Sequence, residues 1–387
     1  MLVLFLISWV SWYGMYVKGE KVGYSQITME ESSTGYKVSE LTHIKLSVMG
    51  MERVLKCVAQ YNVTQEFELS SFTFDLESEA QKILMRGEVE KAQKSFGCTQ
   101  EKPKLKLSIK TGGTSQTQSI ELKDKLYPIT ILPMLVQKFA TNKEIEIFDP
   151  SIQSVNTAKC KIIETQGDSI KIEVEVLGAT STMWVSKDGT LLSQQQPMGI
   201  VVQKETKEEA LKEGNAVSEV MSLYGIKSNV MIPNPREVIF LRLLVKGEFI
   251  KSERQMRLGD TLLIQTIGPR IGKEIKEYLE PTPFIQCKDE RIVKLANKIV
   301  GNIQDPYKKS REIAKWVAEN VKDMPTVSIP SALDVLATLE GDCGEHTVLF
   351  VALARACGIP AQIVVGIVYV GDGFYYHAWA KIWAGKW

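Results

Sequence analysis

From Trp12 to about Gln203 the sequence alternates apolar and polar residues in short runs broken by glycine-containing turns. Residues 105–109, 118–122 and 169–176 show this period of two most clearly. A period of two sends every second side chain to the same face, so such a run buries its apolar set only as a half-buried strand. A chain dominated by these runs folds as antiparallel sheet. Tyr16 to Tyr24 reads as two strands around a tight turn, and Asp188-Gly189 sits between two apolar runs as a hairpin turn. One helix interrupts the strands, over Pro128 to Phe139, where Pro133 is expected to kink or shorten it. His43, Cys57, Cys98 and Cys160 are scattered through this half without C-x-x-C or histidine-cluster spacing, which speaks against a metal site.

Composition narrows the function classes. With 387 residues, two or three domains are expected at about 100–200 residues each. Lys+Arg of 47 against Asp+Glu of 46 leaves a net charge of +1, which argues against a nucleic-acid binder. No run of 18 apolar residues is present, so no conventional membrane span is expected. Six cysteines are too sparse for a disulfide-dense module. Met1 to Val10 (MLVLFLISWV) fits the apolar core of an export signal but lacks a charged n-region and an A-x-A site. Two readings stay open for residues 1–11: a clipped export signal, or a buried first strand running into Trp12. The first implies a periplasmic or extracytoplasmic place of action, with membrane or envelope association.

The pattern changes character twice. Residues 12–214 form the β-rich N-terminal domain, closed by the charged, helix-forming stretch 204–214. Residues 215–283 read as a linker and a small β unit, with strands at 238–245 and 261–265, ending at Pro281-Thr282-Pro283. Residues 284–387 are helical before they are strand-like. Ile292, Val293, Leu295, Ala296, Ile299 and Val300 fall at helical spacing. Asp305-Pro306 gives an N-cap followed by Pro at the first helical position. Ser331 is expected to cap a third helix.

Residues 341–387 carry the chemistry. Cys343 follows a Gly-Asp turn and opens a helix reaching about Ala356, which Gly358 and Pro360 stop. A thiol at a helix N-terminus feels the positive end of the macrodipole, which favours thiolate and lowers its pKa. The amide of Cys343 is unsatisfied within the helix and can hold a developing oxyanion. Two strand-like runs follow, 361–370 and 374–383, joined by Gly371-Asp372-Gly373, and the second carries His377. An imidazole on that strand can take the thiol proton and return it to a leaving amine. Trp379 shares the face of His377 by alternation, either shielding the couple from water or simply packing. Asp342 shapes the turn before the nucleophile. His346, one turn into the helix, caps or lines the cleft; Glu345 and His346 lack the partner that H-E-x-x-H metal binding needs. Cys357 lies about 21 Å along the helix from Cys343, beyond disulfide reach.

Taken together, G-D-C at a helix start, R-A-C-G-I-P at its end and H-A-W in a hairpin resemble the transglutaminase-like superfamily of cysteine enzymes, over roughly Asp305 to Trp387 with weaker support back to Phe284. The resemblance implies a papain-like α+β domain, so the fold class is α+β: an antiparallel β-rich N-terminal domain, a small β unit and a C-terminal transglutaminase-like domain. It implies Cys343 as nucleophile and His377 as base of a cysteine-dependent hydrolase or acyltransferase acting on protein or peptide amide bonds through a thioester, with no cofactor and no metal. The other reading is a catalytically inactive adaptor of the cell envelope. The family's third residue, an Asp on the strand after the histidine, has no counterpart following His377, so that residue is expected beyond position 387. Its role there is to fix the histidine tautomer and stabilise imidazolium.

Overall fold

The computed structural model describes residues 8–48, 51–79, 81–91, 102–111, 113–139, 143–212, 225–245, 254–265, 275–324, 326 and 331–387. The chain divides into two compact units, residues 1–223 with 325–329, and residues 224–324 with 330–387.

The first unit is built on a single sheet of fifteen strands among the described residues. Eight come first: β1 (Ser8–Val17), β2 (Glu20–Ser32), β3 (Gly35–Val48), β4 (Met51–Thr64), β5 (Leu69–Ser78), β6 (Lys82–Glu90), β7 (Lys104–Thr111) and β8 (Thr114–Glu121). Seven follow: β9 (Leu126–Pro128), β10 (Lys143–Asp149), β11 (Ser154–Gln166), β12 (Ser169–Val176), β13 (Ala179–Ser186), β14 (Leu191–Gln195) and β15 (Ile200–Glu205). The chain meanders from β1 out to β8, crosses to the far edge at β9, and meanders back until β15 pairs with the other side of β1. All neighbours are antiparallel except β9 with β10. Residues 1–7 of the apolar N-terminal stretch lie outside the described residues, and Ser8 onward is strand β1.

Alternation fixes which side is core. Phe72, Phe74 and Leu76 of β5 are buried while Thr73 and Asp75 between them are exposed. Phe72 meets Phe148 of β10 at 4.7 Å between ring centroids, so the two arms of the sheet share one interior. The β1–β2 turn places Lys18 and Gly19 both at positive φ, 49° and 89°, the conformation whose twist matches a two-residue hairpin. Helix α1 (Leu132–Phe139) follows a short 3-10 turn at 129–131. Its Pro133 sits in the first turn, where a missing N–H breaks no helical bond, so the proline sets the helix start instead of kinking it. Leu135 and Val136 are buried. The charged stretch 204–214 forms only one turn among the described residues, α2 (Lys207–Ala210), closed by a capping box between Thr206 and Glu209. Burial pushes the Cys57 and Cys160 thiols up to about 11, as for structural cysteines; Cys98 lies outside the described residues.

The second unit begins with β16 (Ile226–Lys227) and a three-stranded antiparallel sheet of β17 (Phe240–Leu244), β18 (Gln255–Leu258) and β19 (Thr261–Gln265). Four helices follow: α3 (Glu290–Val300), α4 (Pro306–Asn320), α5 (Ala332–Thr338) and α6 (Cys343–Ala356). Asp289 and Asp305 cap α3 and α4 through their carboxylates, as expected of Asp at those positions. Short parallel strands β20 (Lys322–Asp323) and β21 (Glu340–Gly341) tie α4 to the entry of α6. The chain ends in a hairpin of β22 (Ala361–Val370) and β23 (Gly373–Ile382), paired over ten residues, with β16 added to its outer edge. Ile292, Ala296, Ile313, Leu333, Leu349 and Leu353 form the core around α6.

Ser331 precedes α5 as expected but makes no capping bond. Gln286, from the loop before α3, takes that role: its Oε1 accepts from the Leu333 amide at 3.3 Å, and its Nε2 donates to Ser331 Oγ at 3.0 Å. A distant side chain thus satisfies the helix end that sequence assigns to the local serine.

Candidate active site

Cys343 is the first residue of α6. Asp342 stands at the N-cap and accepts from the Gly344 amide at 2.9 Å, while Glu345 reaches back to accept from the Asp342 amide at 3.1 Å. This is a capping box with Asp in the cap position. The Asp-x-x-Glu spacing is legible in the sequence, yet Glu345 is the residue that reasoning about metal motifs passed over. The Cys343 amide has no acceptor among the described residues, as befits the first residue of a helix.

His346 is half-buried on the same turn. Its Nδ1 lies 2.6 Å from the Asp342 carbonyl and its Nε2 3.1 Å from the Val321 carbonyl at the end of α4. A neutral imidazole donates through only one of these nitrogens. His346 therefore ties α6 to the segment before β20, with Asp323 3.8 Å away.

Two groups meet at strand β23. The amides of Ala378 and Gly344 lie close enough to the Cys343 sulfur to favour its thiolate. Alternation along β23 turns Ala378, Ala380 and Ile382 toward the core around α6. His377 and Trp379 occupy the other face. Their rings stack at 6.3 Å, and the indole covers Gly366 on β22 so closely that a Cβ there would lie 2.8 Å from it. The structure thus brings Asp342, Cys343 and His346 together on one turn, and His377 and Trp379 together on the hairpin. Cys343 touches the residue after His377, and no hydrogen bond joins the thiol to the imidazole among the described residues.

The electrostatics run against the expectation from the helix dipole. Burial pushes the Cys343 thiol up, and the Asp342 and Glu345 carboxyls push in the same direction; the Ala378 and Gly344 amides pull it down without prevailing. Desolvation disfavours the charged form, and the acids that cap α6 add like charge beside a nascent thiolate. Burial together with the neighbouring Glu345 raises Asp342 to about 7. Tyr376, exposed beside the sulfur on the core-facing side, is raised by burial and by Cys343. Among the described residues no three His, Cys, Asp or Glu side chains converge to hold a metal ion.

Arg355, at the far end of α6, is structural. It is buried, its Nε donates to the Ala361 carbonyl at 3.0 Å, and its Nη1 to the Glu280 carbonyl at 2.5 Å. Cys357 is the C-cap of α6 and its thiol is raised by burial.

A helix that opens on a cysteine is laid against a hairpin, and residues 293–387 match the transglutaminase-like superfamily. The C-terminal domain carries a transglutaminase-like core. Over 100 residues the chain is 38% identical to an uncharacterized protein of Haemophilus influenzae, a match covering 24% of this chain and 27% of that protein. The chain thus spans little more than a quarter of that relative's length. Among solved structures, a "Putative Cysteine Protease" from Cytophaga hutchinsonii is 27% identical over 32% of this chain and 47% of its own, with a TM-score of 0.28. A β-barrel-like protein from Brucella abortus is 10% identical over 52% of this chain and 95% of its own, with a TM-score of 0.38.

Proposed function

We propose that the C-terminal domain is a cysteine-dependent amide hydrolase or acyltransferase acting on a protein or peptide, outside the cytoplasm. Cys343 is its nucleophile and His377 its general base. The carrying observation is the seat of Cys343: first residue of α6, its own amide unoccupied, its sulfur against the Ala378 amide next to His377. In this reading His377 turns from the strand face opposite Cys343 toward the sulfur; the sulfur then attacks the amide carbon while the imidazole takes the thiol proton. The amide of Cys343 receives the oxyanion, the C–N bond breaks, and the imidazolium protonates the departing amine. Water or a second amine then opens the thioester. Trp379 stacks beside the imidazole, 6.3 Å between ring centroids, and would flank it on the hairpin.

One observation favours the second reading, a non-catalytic envelope adaptor: the thiol is raised and makes no hydrogen bond to His377. The pH dependence of iodoacetamide alkylation at Cys343, followed by peptide mass spectrometry with Cys357 as internal control, separates the two. The enzyme reading expects alkylation of Cys343 at a pH well below that of Cys357, lost in His377→Ala. Equal titration of both thiols, unchanged in His377→Ala, would favour the adaptor.

A further inference from the structure

The outer face of strands β3 to β8 in the first unit carries a groove of about 780 Å³. It runs across the strands. Facing residues build one row, Lys37, Asn62, Ser71, Glu88, Lys106 and Ser119, one from each of six consecutive strands. A second row beside it holds Gln60, Thr73, Arg86, Ser108 and Thr117. At about 4.8 Å per strand, the six-residue row spans roughly 24 Å.

Two irregularities lie in its floor. The pairing of β4 with β5 shifts between Asn62 and Val63, so β5 carries an extra residue and bends there. On β6, Gly87 has no side chain on the core side, and the Phe72 ring fills its place; a Cβ at Gly87 would lie 2.0 Å from Phe72 Cε1. Glycine within a strand marks such a close approach. The bulge and the Gly87–Phe72 contact lie beneath the groove.

Its chemistry is selective. Seven of the side chains in the two rows are neutral hydroxyls or amides, and Asn62 Nδ2 donates to Ser71 Oγ at 2.9 Å. Three cations face a single carboxylate, Glu88. Lys106 is engaged by Glu90 at 2.5 Å, whereas Lys37 and Arg86 have no ion pair among the described residues. Main-chain donors and acceptors of β3 to β7 are spent on the sheet ladder on both sides, and among the described residues only β8, at one end of the groove, has an open edge. An extended peptide adding to a sheet lies along a free strand edge, whereas this groove runs across the strands and meets an open edge only where it ends at β8. A polyhydroxylated chain carrying periodic negative charge matches both the hydroxyl and amide rows and the two unpaired cations.

The geometry points to this groove as a binding site for a linear glycan bearing carboxylates. The site lies wholly within the first unit and stands independently of the chemistry proposed for Cys343.

The test is titration calorimetry on the full chain with three probes: hexagalacturonate, its fully methyl-esterified form, and a hexaglutamate peptide. Hexagalacturonate is expected to bind, to weaken as sodium chloride rises from 50 to 300 mM, and to lose at least tenfold in affinity in the Lys37→Ala, Arg86→Ala double variant. The double variant Lys159→Ala, Lys187→Ala, which removes exposed cations elsewhere on the sheet, is expected to bind as the parent does. No binding of hexagalacturonate overturns the proposal. Equal binding of the methyl ester removes the need for carboxylates, and tighter binding of hexaglutamate makes the ligand a peptide; either also overturns it. Unchanged affinity in the Lys37/Arg86 variant, with its fold verified by circular dichroism, overturns the location.

Discussion

Gly341 and Glu345 share one space: a Cβ on Gly341 would lie 2.1 Å from the Cβ of Glu345. The φ of Gly341 is not positive, so glycine is needed there for room and not for backbone freedom. Glu345 fills that room on its way back to the Asp342 amide, and in doing so fixes the turn from which Cys343 starts. Gly341→Ala must move either β21 or the first turn of α6. Overpacking of this kind costs about 1–3 kcal/mol. Denaturant unfolding is expected to show that loss, together with an altered Cys343 alkylation rate in the folded protein. Parent-like values for both would mean the turn is softer than its packing indicates.

Asp342 gives the same turn a pH dependence. Burial, then the adjacent Glu345, raise its carboxyl to about 7. A raised carboxyl binds its proton more tightly folded than unfolded. Its contribution to stability is therefore present at low pH and falls as pH rises from the ordinary carboxyl range near 4 to about 7. Asp342→Asn keeps an oxygen for the Gly344 amide and removes the charge. The variant is expected to lose that fall in a pH series of urea midpoints. It should also alkylate Cys343 at lower pH than the parent, because the Asp342 charge is one of the influences pushing the thiol up. A thiol titration unmoved by the substitution would assign its elevation to burial and Glu345.

The strands of the first unit were legible because their alternation follows one rule, half core and half water, and β12 falls at the predicted residues. Asp305 announced its helix through cap chemistry that acts within a few residues. What escaped the sequence depends on distant partners. Nothing local says that Gln286 satisfies α5 in place of Ser331, or that two arms of one sheet close over Phe72 and Phe148. Cys343 and His377 were picked out as residues. The balance that raises the thiol was not, because it sums burial, two carboxyls and an amide from β23, each set by packing.

Glu40 is a second carboxyl held away from its usual state. It lies on β3 facing the interior of the first unit, where its Oε2 accepts from Thr130 Oγ1 at 2.6 Å and its Oε1 from Thr42 Oγ1 at 3.3 Å. Burial raises it, against the pull of those hydroxyls. The sign matches that of Asp342: stability falls as pH climbs above the ordinary glutamate range. Glu40→Gln preserves an acceptor and removes the charge to be desolvated. It is expected to raise the thermal midpoint at pH 8 and to change little at pH 4. A lower midpoint at pH 8 would show that Glu40 is held ionised by its hydroxyl partners.

Arg355 links three pieces of the second unit: α6, the start of β22 through Ala361, and the segment before α3 through Glu280. A guanidinium offers several donors in a fixed fork, so one buried side chain can hold two carbonyls that point in different directions. Burial lowers its pKa, yet the group remains cationic, since arginine stays protonated in proteins. Arg355→Leu strands both carbonyls and is expected to cost roughly 3–6 kcal/mol, two bonds from a charged donor. Arg355→Lys should recover less than half, because one ammonium cannot reach both carbonyls in the same geometry. Cys343 alkylation in the folded fraction should match the parent in both variants, since Arg355 sits at the opposite end of α6. A selective loss of thiol reactivity without loss of stability would instead give Arg355 a part in the site.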